Sequence, residues 1–83
     1  MPLYLDIHNN VKGLTKKGVE EAHQLDIKIQ KKYNVKHIDY WYSEKDNKIF
    51  CLCEAPNKEA TIMVHKEAHG GVPDEVIEVK KGM

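Results

Sequence analysis

Arginine is absent from these 83 residues: all thirteen basic side chains are lysine, and thirteen acidic residues cancel them. Without a guanidinium fork there is no bidentate grip on phosphate or guanine. Without net charge there is no global field to draw in a polyanion. Neither a nucleic-acid partner nor a membrane partner is expected. No apolar run approaches the ~20 residues of a membrane helix, and the amino terminus does not show the charged-then-apolar layout of a signal peptide. Cysteine is scarce too. Cys51 and Cys53 stand two apart on an apparent strand, where Cα atoms about 6.5–7 Å apart are too distant and too stiffly held for a relaxed bridge. They read as reduced thiols, so a cytoplasmic protein is expected. Repeats, low-complexity tracts and linkers are all missing. Residues 1–83 therefore read as a single domain, with its core at about 3–79 and a short C-terminal tail. A chain of this size buries only roughly 60% of its unfolded surface, so a metal or a second copy would support it.

Histidine, by contrast, is plentiful, with five in the chain. Placing them requires the elements. The opening segment alternates Leu3, Leu5 and Ile7 against Tyr4, Asp6 and His8 and reads as a half-buried strand. Gly13 punctuates, and Thr15 is placed to cap a helix over residues 16–32, where Val19, Ala22, Leu25, Ile29 and Tyr33 recur at three- and four-residue steps. Residues 35–43, rich in aromatic and β-branched side chains, read as a second strand. A turn over 44–47 returns the chain as a third strand over 48–54, giving an antiparallel hairpin. Ala55-Pro56-Asn57 ends that strand and caps a second helix reaching about His69, which Gly70-Gly71 stops. A short last strand covers 76–79.

This β-α-β-β-α-β order predicts a ferredoxin-like α+β fold, a four-stranded antiparallel sheet with two helices on one face. The opposite face needs a cover, either solvent or a partner chain. Tyr4, Asp6, His8, Trp41 and Cys51 are expected there, and an exposed aromatic sheet face argues for a homodimer.

In such a topology the end of the first strand lies beside the start of the last, and the second helix feeds that same end. His8 is thus expected near His69 and Asp74, with Cys51 close by. His65 and His69, four apart, share a helical stripe and can reach one ion. The rival reading makes them a solvated flank, because Ala60, Val64 and Ala68 form the predicted buried stripe. Asp6 and His8 are a ligand pair, or a carboxylate orienting its neighbour's imidazole, or simply a polar outer face. Phe50 and Leu52 are the better core residues, which sends Cys51 and Cys53 to the face of Asp6 and His8. Cys51 there is a thiolate ligand, a reactive thiol or a small hydrophobe. His23 and Asp26 read as a local hydrogen bond, and His37 as ordinary surface. Asp6, His8, Cys51, His65 and His69 are the candidate metal ligands, a mixture of imidazole, carboxylate and thiolate that suits a borderline divalent transition ion.

Several segments carry a resemblance that runs from about residue 3 to 79. They are Tyr4-Leu-Asp-Ile-His8, Gly13-Leu-Thr, Glu21-Ala-His23-x-x-Asp26, Tyr40-Trp41, Phe50-Cys51-Leu-x-Glu54-Ala-Pro, Val64-His65-x-x-Ala68-His69-Gly and Asp74-Glu75-x-Ile77-x-Glu-Val79. Their order and spacing resemble a small bacterial family, long known only as a domain of unknown function, of which a streptomycete member is described as a nickel-binding protein. The resemblance implies a ferredoxin-like fold, a dimer and divalent-metal binding with nickel as the ion. Its matching positions are Asp6, His8, His23, Cys51, His65 and His69. The donor set itself would also accept zinc or copper.

The expected function is a cytoplasmic homodimeric protein that sequesters or buffers a divalent ion without catalysing a reaction. The alternative is a small dimeric enzyme acting on an organic substrate in the cleft between sheet and helices. There His23 would serve as base, Asp26 as its orienter and Cys51 as nucleophile. A third reading is a partner domain that uses the open sheet face.

Overall fold

Residues 1–83 are all described in the computed structural model. β1 (Leu3–His8), α1 (Lys16–Ile29), β2 (Lys36–Ser43), β3 (Lys48–Glu54), α2 (Lys58–Ala68) and β4 (Glu75–Val79) follow one another, with a 3-10 turn over Gln30–Tyr33 after α1. The strands lie in the order β2-β3-β1-β4 and every pairing is antiparallel. The fold is ferredoxin-like α+β, as the order of elements predicts.

Capping fixes where both helices begin. The Thr15 hydroxyl accepts from the Gly18 amide at 3.0 Å, and the Asn57 side-chain oxygen accepts from the Ala60 amide at 2.9 Å. Each satisfies one of the donors that a first turn leaves free. The first helix ends earlier than its apolar spacing predicts, because the 3-10 turn takes over at Gln30 and stops on Asn34. Asn34 is left-handed, with φ 58°, a conformation that asparagine tolerates better than other side chains. This reversal sends Val35 into the core instead of into the strand.

The faces of the sheet are the reverse of those predicted. In register, Asp6 lies opposite Cys51 and Tyr4 opposite Cys53, and all four are buried. They form the face covered by the helices. Leu5, opposite both Leu52 and Ile77, and Ile7, opposite Phe50, lie on the other face together with Trp41. That face is open, with Trp41 49% and Ile77 44% exposed. Of the five residues expected on the open side, only Trp41 is there; Tyr4, Asp6, His8 and Cys51 point inward. Strand alternation separates two faces but does not say which one the helices cover.

Beneath the helices the interior has two parts. Tyr4, Val35, Cys53, Ala55, Ala60 and Val64 make a small apolar cluster, backed by Ile29, Tyr33 and Val76. Beside it Asp6, Asp26 and His65 are buried as polar groups. So few apolar side chains give a modest hydrophobic contribution, and the polar part has to be internally satisfied to be tolerated.

Candidate metal centre

His65 is the hub of that polar part. On α2 the buried residues are Ala60, Thr61, Val64 and His65, so the inward stripe runs through Thr61 and His65 as well as Ala60 and Val64. The solvated-flank alternative is thereby overturned for His65, which is 1% exposed. Its Nε2 lies 2.9 Å from Asp6 Oδ2 and its Nδ1 lies 3.0 Å from Asp26 Oδ1. Neutral imidazole has one N–H, so only imidazolium can donate to both carboxylates. Burial alone would strip the proton from His65. The bonds and charges of Asp26 and Asp6 outweigh it and hold the ring up at about 9. Burial likewise pushes both aspartates up, and their histidine partners more than reverse it, leaving Asp6 and Asp26 below the usual carboxylate range.

The remaining donors gather round these three. His8 Nε2 donates to Asp6 Oδ1 at 3.0 Å, and the His8 and His65 rings meet edge to face at 5.0 Å. Cys51 stands opposite Asp6 in the β1–β3 register. The ligand atoms of Asp6, His8, Cys51 and His65 all lie within 4.8 Å of one another. His69 joins through Asp26, with Nε2 3.0 Å from Oδ1. Its Nδ1 accepts from the Gly71 amide at 3.0 Å, which assigns the ring proton to Nε2. A Cβ on residue 71 would come within 2.8 Å of that nitrogen, so glycine is what lets the backbone approach. Four of the five candidate ligands thus converge, and the fifth stands one contact behind.

Two further members escaped the sequence reading. Asp26 makes no bond to His23; it reaches across to His65 and His69 on α2. The signal was present, because Val19, Ala22, Asp26 and Ile29 keep three- and four-residue steps while Leu25 falls outside the stripe and is exposed. His37, expected as ordinary surface, is half-buried. Its Nδ1 and its backbone amide both bond Gln30 Oε1, at 3.0 and 2.9 Å. That fixes the proton on Nδ1 and leaves Nε2 a bare lone pair, buried with no partner. Burial pulls the ring down to about 4, so it is neutral at pH 7. Asp26, His37 and His65 form a second group whose ligand atoms lie within 4.8 Å. His37 has His65 and His23 as ring neighbours, each at 5.7 Å, and His23 lies against Tyr40 at 4.3 Å. With His69 beside His65 at 5.4 Å at the exposed end of α2, all five histidines form one connected set.

These residues fit a divalent transition ion. Donors that bind one ion at about 2.1 Å stand roughly 3 Å apart when adjacent, and the His8–Asp6 and His65–Asp6 contacts, at 3.0 and 2.9 Å, have that spacing. Two buried carboxylates face one doubly bonded imidazolium, and the orphaned Nε2 of His37 is a lone pair whose direction is set by the Gln30 carbonyl oxygen bonded to the other ring nitrogen. The Cys51 thiol is pushed far up, first by burial and then by the Asp6 and Asp26 carboxylates. It would exchange its proton for the metal.

A family model described as nickel responsive protein, SCO4226-like, matches residues 4–79. The chain belongs to this family. The crystal structure of SCO4226 from Streptomyces coelicolor A3(2) is similar to it throughout. The two share 33% identity with a TM-score of 0.91, over 98% of this chain and 99% of that one. No protein with a curated description matches the chain.

The metal-free protein should have a peaked pH–stability curve. His65 is raised from about 6.5 to about 9, so its contribution is complete below pH 6.5 and is lost as pH rises through 9. His37 is lowered from about 6.5 to about 4, so its contribution holds above pH 6.5 and is lost as pH falls through 4. The two lowered aspartates add to the acid loss. Thermal melts should therefore peak near pH 6.5 and fall on both sides, and His65→Gln should flatten the alkaline side. A melting temperature unchanged between pH 6.5 and 9 contradicts the bridged imidazolium.

Proposed function

We propose that this protein binds and buffers a divalent transition ion, nickel foremost, through Asp6, His8, Cys51 and His65, without turning over a substrate. The observation that carries this is the convergence of those four ligand atoms within 4.8 Å in a buried site. Nickel is favoured because the family is described as nickel responsive; the donor chemistry alone suits zinc or copper equally. Asp26, His37 and His69 form the adjoining wall, with His69 acting through Asp26. Capture here is an exchange. The ion takes the place of the proton on His65 and of the one on Cys51, and Asp6 passes from bonding a histidine to bonding a cation. An enzyme using His23 and Asp26 as base and orienter finds no such pair, since Asp26 is committed elsewhere and the Cys51 thiol is held protonated.

The open face supports a homodimer. Leu5, Ile7, Phe50 and Leu52 are only half-buried on it, and Trp41 and Ile77 are exposed, an apolar area rarely left bare in a monomer. The free thiols support a cytoplasmic setting, and no helix is long and apolar enough to cross a membrane.

Titration calorimetry with nickel in two buffers of different ionisation enthalpy should show protons released on binding, and affinity should rise from pH 6 to pH 8. His8→Ala and His65→Ala should each weaken binding by more than about tenfold, and His37→Ala by less. Equal affinity at pH 5 and pH 7.5 rules out histidine ligation. For assembly, light scattering behind a sizing column should give twice the chain mass, reduced to one chain by Trp41→Glu with the ion count per chain unchanged. A wild-type monomer at micromolar concentration contradicts the dimer.

A further inference from the structure

A cavity of about 290 Å³ lies over the donor cluster, between the β1–α1 connection, the first turns of α1 and the sheet. His8, Cys51 and His65 form part of its wall together with His69 and Asp26, whose carboxylate is held by His65 and His69, while Asp6, fully buried, lies behind the cluster. The ion site therefore faces this space. A bare ion needs none of that room, which would take roughly ten waters at ~30 Å³ each.

The rest of the wall differs from what water would select. Leu14, Val19, Ala22 and Ile49 line it with aliphatic surface. At the rim stand Lys12 and the capped start of α1, with Thr15 bonded to the Gly18 amide. A helix start carries positive potential and lies here beside a lysine. Deeper in, Tyr40 and His23 close the wall, and His23 Nδ1 is buried with no partner in the protein. Aliphatic sides, a cationic rim and a donor floor are what a small organic anion needs to be held by body, head and chelating end together.

We infer that the cavity takes a small chelating carboxylate, on the order of ten non-hydrogen atoms, that enters with the ion and completes its coordination shell over His8, Cys51 and His65. The cargo is then a metal chelate and not a naked cation. This rests on the metal-binding reading above and adds to it the class of co-ligand.

The test compares L-malate, which closes a chelate ring through its α-hydroxyl, with succinate, which has the same charge and nearly the same size but cannot close that ring. Nickel-loaded protein should bind malate at least about tenfold more tightly than succinate, with the nickel remaining on the protein. Leu14→Trp, which fills the cavity, should abolish malate binding and leave nickel affinity unchanged. Lys12→Ala, on the exposed rim, should weaken malate binding and covers the case in which the tryptophan variant does not fold. Nickel taken up more tightly with malate present than without also supports the inference. Malate and succinate binding alike, malate carrying nickel off into solution, or Lys12→Ala leaving malate affinity unaltered overturns it while nickel binding itself stands. No nickel uptake with or without malate overturns the functional reading beneath it.

Discussion

Asp6 and Asp26 grip the two ring nitrogens of His65, and through that grip β1, α1 and α2 are tied at a single point. The contacts span 59 and 39 residues of sequence, so they close the tertiary structure and not a local turn. Leaving a buried charge without its partner costs on the order of 3–5 kcal/mol, a large share of the stability of so small a domain. The apolar cluster beside it is only six residues strong. The polar triad therefore decides how the helices sit on the sheet, and the inward turn of Asp6, His8 and Cys51 follows from it.

The same three groups make the site responsive. While imidazolium bridges the carboxylates the interior is satisfied; when one proton leaves, a ring lone pair faces a carboxylate that has lost its donor, an arrangement suited to a cation. On the proposed function proton and metal would compete for one place, and occupancy by either would keep the helices docked. Cys51, His8, Asp26 and His69 present donors to the cavity, whereas Asp6 and His37 lie outside its wall. Binding through exchange would suit the proposed buffering, because release would need only a rise in proton activity.

Much of this was legible in the chain. Thr15 and Asn57 announce the helix starts, the turn over 44–47 sets the hairpin, and the order of periods identifies the fold. Asp6, His8, Cys51 and His65 were recognisable by residue type, and topology placed His8, His69 and Asp74 at one end of the sheet with Cys51 close by. The inside face was not legible, because Leu5 and Ile7 look like better core residues than Asp6 and His8. What reverses that preference is complementation by His65 and Asp26, which local periodicity cannot register. His37 was hidden by a register shift between it and Asp39, which breaks the alternation that would otherwise place its side chain. His23 and Asp26 looked like a pair because sequence shows a neighbour three residues away and not a partner on another helix.

Anomalous scattering at the nickel edge, from crystals grown near pH 8 and loaded with nickel, tests the central claim most directly. A peak about 2.1 Å from Asp6, His8 and His65 donor atoms and about 2.3 Å from Cys51 Sγ, with the His65–Asp6 hydrogen bond replaced by coordination, is the predicted result. Nickel bound away from His65, with both of its carboxylate bonds intact, would contradict it.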